Sequence, residues 1–415
     1  MIDVLQRRNG ILYFENCSLK QLAKEIGTPL YVYSRSALEE NFRRLDSAFK
    51  ALPHLVCFAV KANSNLSLLR VFRDLGAGFD IVSGGELFRV RQVGIDPQKV
   101  VFSGVGKGNT EIDYALNSNI LIFNVESKAE LDVIQARCKL LNLTTRVAMR
   151  VNPDIDPETH PHVSTGLHQH KFGISLEQVL QLYRHAASLT HVVPVGISCH
   201  IGSQVTSLKP FVDAAQRVFK LVDELLLSGI HLQYVDLGGG LGIRYHQELP
   251  PDVEAYAAAL SQCFVGRTQT LILEPGRILS ANAGVLLTEV LYLKENQGRH
   301  FVVVDAGMND LIRPGLYGAY HEIVPVEAKE RDTFTTDVVG PVCETTDFLA
   351  RGRELCRVER GDLLALKDVG AYGFTLSSNY NSRPRPAEVL VDAQTYQIVR
   401  KRESYEDLVR GEKGF

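Results

Sequence analysis

The chain has 415 residues, 45% of them hydrophobic, and a formal net charge of −3 with acids and bases interspersed. That length supports a large core and two or three domains, and the absence of a basic stripe argues against nucleic acid as a partner. No run of about 18 apolar residues exists to span a membrane. Arg7 and Arg8 are not followed by the apolar stretch of a signal peptide. Seven scattered cysteines without a CxxC pair point away from a zinc site or disulfide framework and toward a reducing, cytoplasmic setting.

In chain order, the first strand-like piece is 11–14 (ILYF). Eight apolar runs follow, at 56–61 (VCFAVK), 79–83, 99–103, 120–125 (ILIFNV), 146–151, 195–201 (VGISCHI), 234–238 and 270–275 (TLILEP). Their β-branched content and lack of alternation fit parallel strands covered on both faces. Amphipathic stretches at 67–75, 84–93, 127–141 and 207–228 lie between them, and Ser127 with Glu130 reads as a capping box. Alternation of this kind predicts an α/β fold, a (β/α)8 TIM barrel over 28–280, with a doubly wound open sheet as the competitor. Beyond 280 the texture changes. Pieces at 286–293, 301–305, 334–339, 363–366 and 387–391 alternate with Gly, Pro and Asp turns. They predict a second, mainly β domain (sandwich- or barrel-like) made of 1–27 plus 281–415.

In such a barrel, chemistry sits at the C-terminal ends of the strands. The first run ends on Lys61, which reads either as a lysine snorkelling to solvent or as a Schiff-base amine whose apolar setting lowers its pKa. The sixth ends on Cys199-His200-Ile201-Gly202-Ser203, where the His is a structural residue or a ring stacked on a planar ligand. The seventh runs into Gly238-Gly239-Gly240, a tight turn or a set of bare backbone N–H groups for a phosphate. The eighth ends on Glu274-Pro275-Gly276-Arg277, an ion pair between loops or a carboxylate for a heterocyclic nitrogen. One cofactor needs an amine, a carboxylate, a phosphate cradle and a ring partner at once, and that is pyridoxal phosphate. Gly104-Val105-Gly106-Lys107-Gly108 matches neither nucleotide-binding glycine pattern and reads as a turn. Histidines 160, 162, 168 and 170 sit in a segment, 154–172, that reads as a substrate-covering loop, not as a metal site. No metal is expected. Cys343 reads either as a small buried hydrophobe or, from its Gly-Pro and Glu neighbours, as a loop residue.

The strings FAVKAN, HPHVSTGLHQHKFGI, CHIGSQ, DLGGGLG, EPGR, VDAGMNDLIRPGLYGAYHEI, GPVCETTD and GAYGFTLSSNYNSRPRPAEVLV occur in that order across residues 10–400. With them the chain resembles the diaminopimelate decarboxylases, in the alanine-racemase-like fold group of pyridoxal-phosphate enzymes. The resemblance implies decarboxylation of meso-diaminopimelate to L-lysine. It implies that Lys61 bonds the cofactor, His200 stacks on its ring, and Glu274 binds its nitrogen. Ser203, Gly239 and the Gly276-Arg277 backbone would receive the phosphate, with Tyr372 close by. Arg277, Arg313 and Tyr317 would grip the substrate's distal carboxylate, Glu344 its ammonium, and Tyr372 would line the same pocket. Cys343 would protonate the carbanion. A homodimer is implied in which Cys343 and Glu344 enter the active site of the partner subunit. Ser382 stands where the family's pattern has a glycine. The readings set against this one are an ornithine, arginine or lysine decarboxylase of the same fold, a racemase, and a non-catalytic protein of this fold that binds a partner protein. A nicotinamide enzyme lacks its fingerprint here.

Overall fold

A computed structural model describes residues 4–156 and 171–413. The segment holding His160, His162, His168 and His170 lies outside the described residues. The chain divides into two compact units. One is 42–244 with 248–278, and the other is 4–41, Tyr245–Gln247 and 279–413.

The first unit is a closed barrel of eight parallel strands: β1 His54–Ala59, β2 Gly78–Ile81, β3 Val100–Phe102, β4 Ile122–Val125, β5 Thr145–Arg150, β6 Val192–Ser198, β7 Tyr234–Asp236 and β8 Thr270–Leu273. Each pairs with the next in sequence, and β8 closes on β1 with Leu271 opposite His54. The open-sheet alternative is thereby removed. The runs lack polar alternation because both faces are covered. Inside, Cys57, Val101, Ile122, Ala148 and Ile272 form one buried cluster. Outside, Phe58 of β1 stacks on Phe72 of the following helix, Leu66–Asp74, with ring centroids 4.2 Å apart. Intervening helices start where the sequence offers a cap: Ser83 accepts from the Glu86 N–H and Ser127 from the Glu130 N–H. The expected capping box at Ser127 is only half formed. The Glu130 carboxylate turns to the Glu126 N–H (2.8 Å) and to Lys107 (2.7 Å), because a buried ammonium there needs a counter-charge.

The second unit is mainly β. The strand Gly284–Asn296 pairs antiparallel with Leu30–Ser34, Arg299–Val304 and Leu363–Leu366. Leu30–Ser34 also pairs, in parallel, with Ala387–Asp392. It therefore belongs to this unit although it lies inside the expected barrel limits of 28–280. It was not among the expected strands, and all five of its residues are buried. Ile11–Phe14 forms a small separate sheet with Leu5–Arg8 and Cys17–Ser18. No described helix is long and apolar enough to cross a membrane.

Candidate active site

The C-terminal ends of the barrel strands converge on a cavity of about 410 Å³, lined among others by Lys61, Asn124, Arg150, His200 and Glu274. Lys61 sits in a single 3-10 turn, Val60–Ala62, immediately after β1. The strand end is fixed from the far side, since the Ala59 N–H donates to the Pro275 carbonyl (3.0 Å). Apolar burial alone is expected to free the amine. Instead, Lys61 Nζ donates to Asp80 Oδ2 at 2.7 Å, and Asp80, the third residue of β2, is wholly buried. The amine is thus held in place by an ion pair that a reacting partner must displace.

A second acidic cluster borders the same cavity. Glu274 Oε1 accepts from Ser103 Oγ (3.2 Å) and Asn124 Nδ2 (3.3 Å), and Asn124 Nδ2 also donates to Asp236 Oδ2 (3.0 Å). Asp236 Oδ1 in turn accepts the Gly238 N–H. Burial pushes the Glu274 carboxyl far above the usual range, and the Asp236 and Asp80 charges add to it. Burial raises Asp236 as well. Two carboxyls this close and this dry share protons, so the cluster can hold a proton on or beside a bound nitrogen base.

His200 follows β6. Its Nδ1 accepts the Gly239 N–H (3.2 Å), which requires the neutral tautomer with the proton on Nε2. Burial, reinforced by the charges of Lys61 and Arg150, drives its pKa well below the ordinary histidine value, so a flat, uncharged ring faces the cavity. The glycine turn owes its composition to close approach. A Cβ on Gly239 would lie 2.2 Å from the Glu274 carbonyl oxygen. One on Gly240, at φ +110°, would lie 2.3 Å from that of Gly202. Beside the turn, Arg277 Nη2 donates to Ser203 Oγ (2.9 Å).

The barrel thus brings together Lys61, His200, Ser203, Gly239, Glu274, Gly276 and Arg277. The remaining expected residues belong to the other unit. Arg313 and Tyr317 begin and end one short helix. Cys343 and Glu344 are exposed in a loop, and the Cys343 N–H donates to Asn381 Oδ1 (2.8 Å). The buried alternative for Cys343 is removed. Tyr372 carries φ +56°, a strained backbone for a bulky residue. Ser382 has φ +52°, a conformation glycine adopts without strain, which gives a physical reason for the glycine that the resemblance leads one to expect there.

Sequence reasoning missed Asp80, Asn124, Ser103 and Arg150. Each had a signal, a polar residue inside or closing an apolar run (FDIVS, ILIFNV, VVFS, RVAMR). The string GVGKG, read as a mere turn, also does more. Lys107 is buried and donates to the Gly104 and Asn124 carbonyls, and this fixes residues 104–106 as part of the cavity wall.

Pyridoxal phosphate fits this arrangement. Among the described residues, Asp80 Oδ1, Asn124 Oδ1 and Ser198 Oγ are buried at or beside the cavity without a hydrogen-bond partner. Buried polar atoms are ordinarily paired, so the site is built for a polar ligand. The comparisons agree with the geometry. Residues 35–281 match the model of the pyridoxal-dependent decarboxylase, pyridoxal binding domain. The chain is 50% identical over 411 residues to the diaminopimelate decarboxylase of Pseudomonas aeruginosa, covering 99% of each chain. Among solved structures, it is similar to the Helicobacter pylori diaminopimelate decarboxylase complexed with L-lysine (TM-score 0.91, 42% identity, 94% and 98% coverage). It is also similar to the M. jannaschii diaminopimelate decarboxylase in co-complex with L-lysine (TM-score 0.95, 39% identity, 99% and 98% coverage).

Proposed function

The chain belongs to the diaminopimelate decarboxylase family of pyridoxal-dependent enzymes, and on that premise we propose that it releases CO2 from meso-diaminopimelate to give L-lysine, the last step of lysine biosynthesis. The observation that carries the reading is the single cavity lined by Lys61, Glu274 and a neutral His200, beside the turn Gly238–Gly240. Pyridoxal phosphate, when bound, supplies an aldehyde for the substrate's amine and a ring that takes up the electron pair left by departing CO2.

The chain's own residues do the rest. Lys61 is the amine that holds the cofactor between turnovers and gives way to the substrate. Asp80 takes the ammonium when Lys61 is released. Glu274, backed by Asp236 through Asn124, keeps a proton at the ring nitrogen and so sustains the electron sink. His200 packs its neutral ring against the cofactor and adds no competing charge. The backbone at Gly239 and Gly276-Arg277, with the Ser203 hydroxyl, receives the phosphate. Arg277, Arg313 and Tyr317 pair with the substrate's distal carboxylate and Glu344 with its distal ammonium, while Tyr372 lines the same pocket. Cys343 is the acid that protonates Cα. A site built around those distal groups disfavours amino acids without them, because the charges of Arg277, Arg313 and Glu344 would meet no counter-charge on the ligand. That argument favours meso-diaminopimelate over ornithine or arginine.

The working unit is a cytoplasmic homodimer whose subunits exchange Cys343 and Glu344. Supporting this, Cys343 lies exposed in a loop and every cysteine is a free thiol. The test is to supply pyridoxal phosphate to the purified protein and measure CO2 and lysine from meso-diaminopimelate against lysine, ornithine and arginine. Release from meso-diaminopimelate alone is expected. Its absence, or equal release from ornithine, refutes the assignment.

A further inference from the structure

We propose that His321 is a positioning residue for substrate recognition, a neutral acceptor that orients Arg313 toward the distal carboxylate without quenching its charge. The inference rests on the reading of Arg313 as a carboxylate partner.

The short helix Arg313–Tyr317 ends at Gly318 in the left-handed conformation (φ 61°). The reversal carries the chain back, so that His321 stands beside Arg313. His321 is wholly buried, with Nε2 2.9 Å from Arg313 Nη1 and Nδ1 2.8 Å from the Lys367 carbonyl oxygen. A guanidinium only donates, and a carbonyl only accepts. Nε2 must therefore carry the lone pair and Nδ1 the proton. A single tautomer satisfies both contacts, and it is uncharged. Tyr245 completes the frame. Its ring meets His321 edge-on (centroids 5.5 Å apart, 80°) and lies 4.8 Å from the Arg313 guanidinium carbon. The guanidinium is thus held by a nitrogen at one N–H and by an aromatic ring.

Two consequences follow. An arginine fixed before binding gives up less rotamer freedom when the carboxylate arrives. In addition, a carboxylate in place of His321 would orient Arg313 equally well but would pair with it, competing with the ligand for the same charge. A neutral imidazole supplies the orientation alone.

The test uses two ligands of the holoenzyme. L-Lysine, the product, keeps the distal carboxylate and ammonium of meso-diaminopimelate, whereas cadaverine lacks the carboxylate. Their dissociation constants are measured by calorimetry for wild type, His321→Asn, His321→Gln and Arg313→Ala. An asparagine amide can still reach the Lys367 carbonyl from the Nδ1 position but loses Arg313. A glutamine can reach Arg313 from the Nε2 position. We expect His321→Asn to weaken lysine binding on the order of tenfold with cadaverine unchanged, and to raise KM for meso-diaminopimelate with kcat largely kept. His321→Gln should retain the lysine-over-cadaverine preference. The proposal is overturned if His321→Asn keeps that preference, if it weakens both ligands alike, or if His321→Gln loses the preference as fully. Should His321→Asn yield no folded holoenzyme, His321→Gln decides alone, since loss of the preference overturns the proposal and retention supports it. If Arg313→Ala itself keeps the preference, the underlying reading of Arg313 fails, a result distinct from failure at His321.

Discussion

The substitution Gly240→Ala tests the proposed phosphate site most directly. At φ +110° a side chain is strained by roughly 1–3 kcal/mol. The new Cβ would also stand 2.3 Å from the Gly202 carbonyl oxygen, where van der Waals contact begins near 3.4 Å, so the turn must move by about 1 Å. That motion strains two hydrogen bonds, Val205 N–H to the Gly240 carbonyl (2.9 Å) and Gly242 N–H to the Val205 carbonyl (3.0 Å). Each is worth about 1 kcal/mol. The sum is about 3–5 kcal/mol, which lowers Tm on the order of 10 °C for a domain of this size. The displaced N–H groups also lose their aim at a phosphate. A lost charge-assisted hydrogen bond, at about 1.5–3 kcal/mol, weakens pyridoxal phosphate at least about tenfold. Pyridoxal, which has no phosphate, should bind as before. Fluorescence titration of apo-protein with both compounds, alongside a thermal melt, reads this out. Wild-type affinity for pyridoxal phosphate with an unchanged Tm would refute the reasoning, and an equal loss for both compounds would place the phosphate elsewhere.

Lys61→Ala should remove, together, the long-wavelength absorbance of bound cofactor and CO2 release; a variant keeping either one contradicts the role given to Lys61. Burial raises the pKa of Glu86 from 4.5 to about 7, partly opposed by the Val82 N–H that its Oε2 accepts. A carboxyl raised in the folded state lends stability below its unfolded value and withdraws it as pH climbs through the folded value. Wild-type apo-protein should therefore lose stability between about pH 4.5 and 7 relative to Glu86→Gln, which keeps the Val82 contact. At pH 8 Glu86→Gln should be the more stable by at most about 3 kcal/mol, and denaturant curves of equal pH dependence for the two proteins would rule this out. Ser382→Gly removes a left-handed serine and should gain about 0.5–1 kcal/mol after the entropic cost of glycine, with a lower denaturation midpoint counting against it.

The barrel was legible in the sequence because strands buried on both faces must be apolar throughout, and each of the eight runs overlaps one observed strand. Leu30–Ser34 was not picked out as a strand and fell inside the barrel limits, and its five buried residues carry no mark of which sheet covers them. Its partners, 284–287 and 387–391, are more than two hundred residues away. At the site, residues that end a strand or interrupt it with glycine stood out, as Lys61, Gly239 and Glu274 did. Asn124 did not, because one amide within ILIFNV looks incidental until barrel closure brings Ser103, Asp236 and Glu274 around it. His321 was hidden similarly. Only the reversal at Gly318 and the carbonyl of Lys367 reveal which ring nitrogen holds the proton.

The pairing of Leu30–Ser34 also sets an order of events during synthesis. Nearly all of the barrel, from residue 42 to 278, leaves the ribosome as one continuous stretch and can close on itself early. Leu30–Ser34, made before any of it, pairs with Gly284–Leu287 and with Ala387–Val391. For most of translation this strand, buried at all five residues in the finished fold, has unpaired edges, the state in which chains associate wrongly. A nascent chain arrested before residue 387 should therefore keep a foldable barrel yet remain a chaperone client through its first strands, and release should come only when the penultimate strand of the protein emerges.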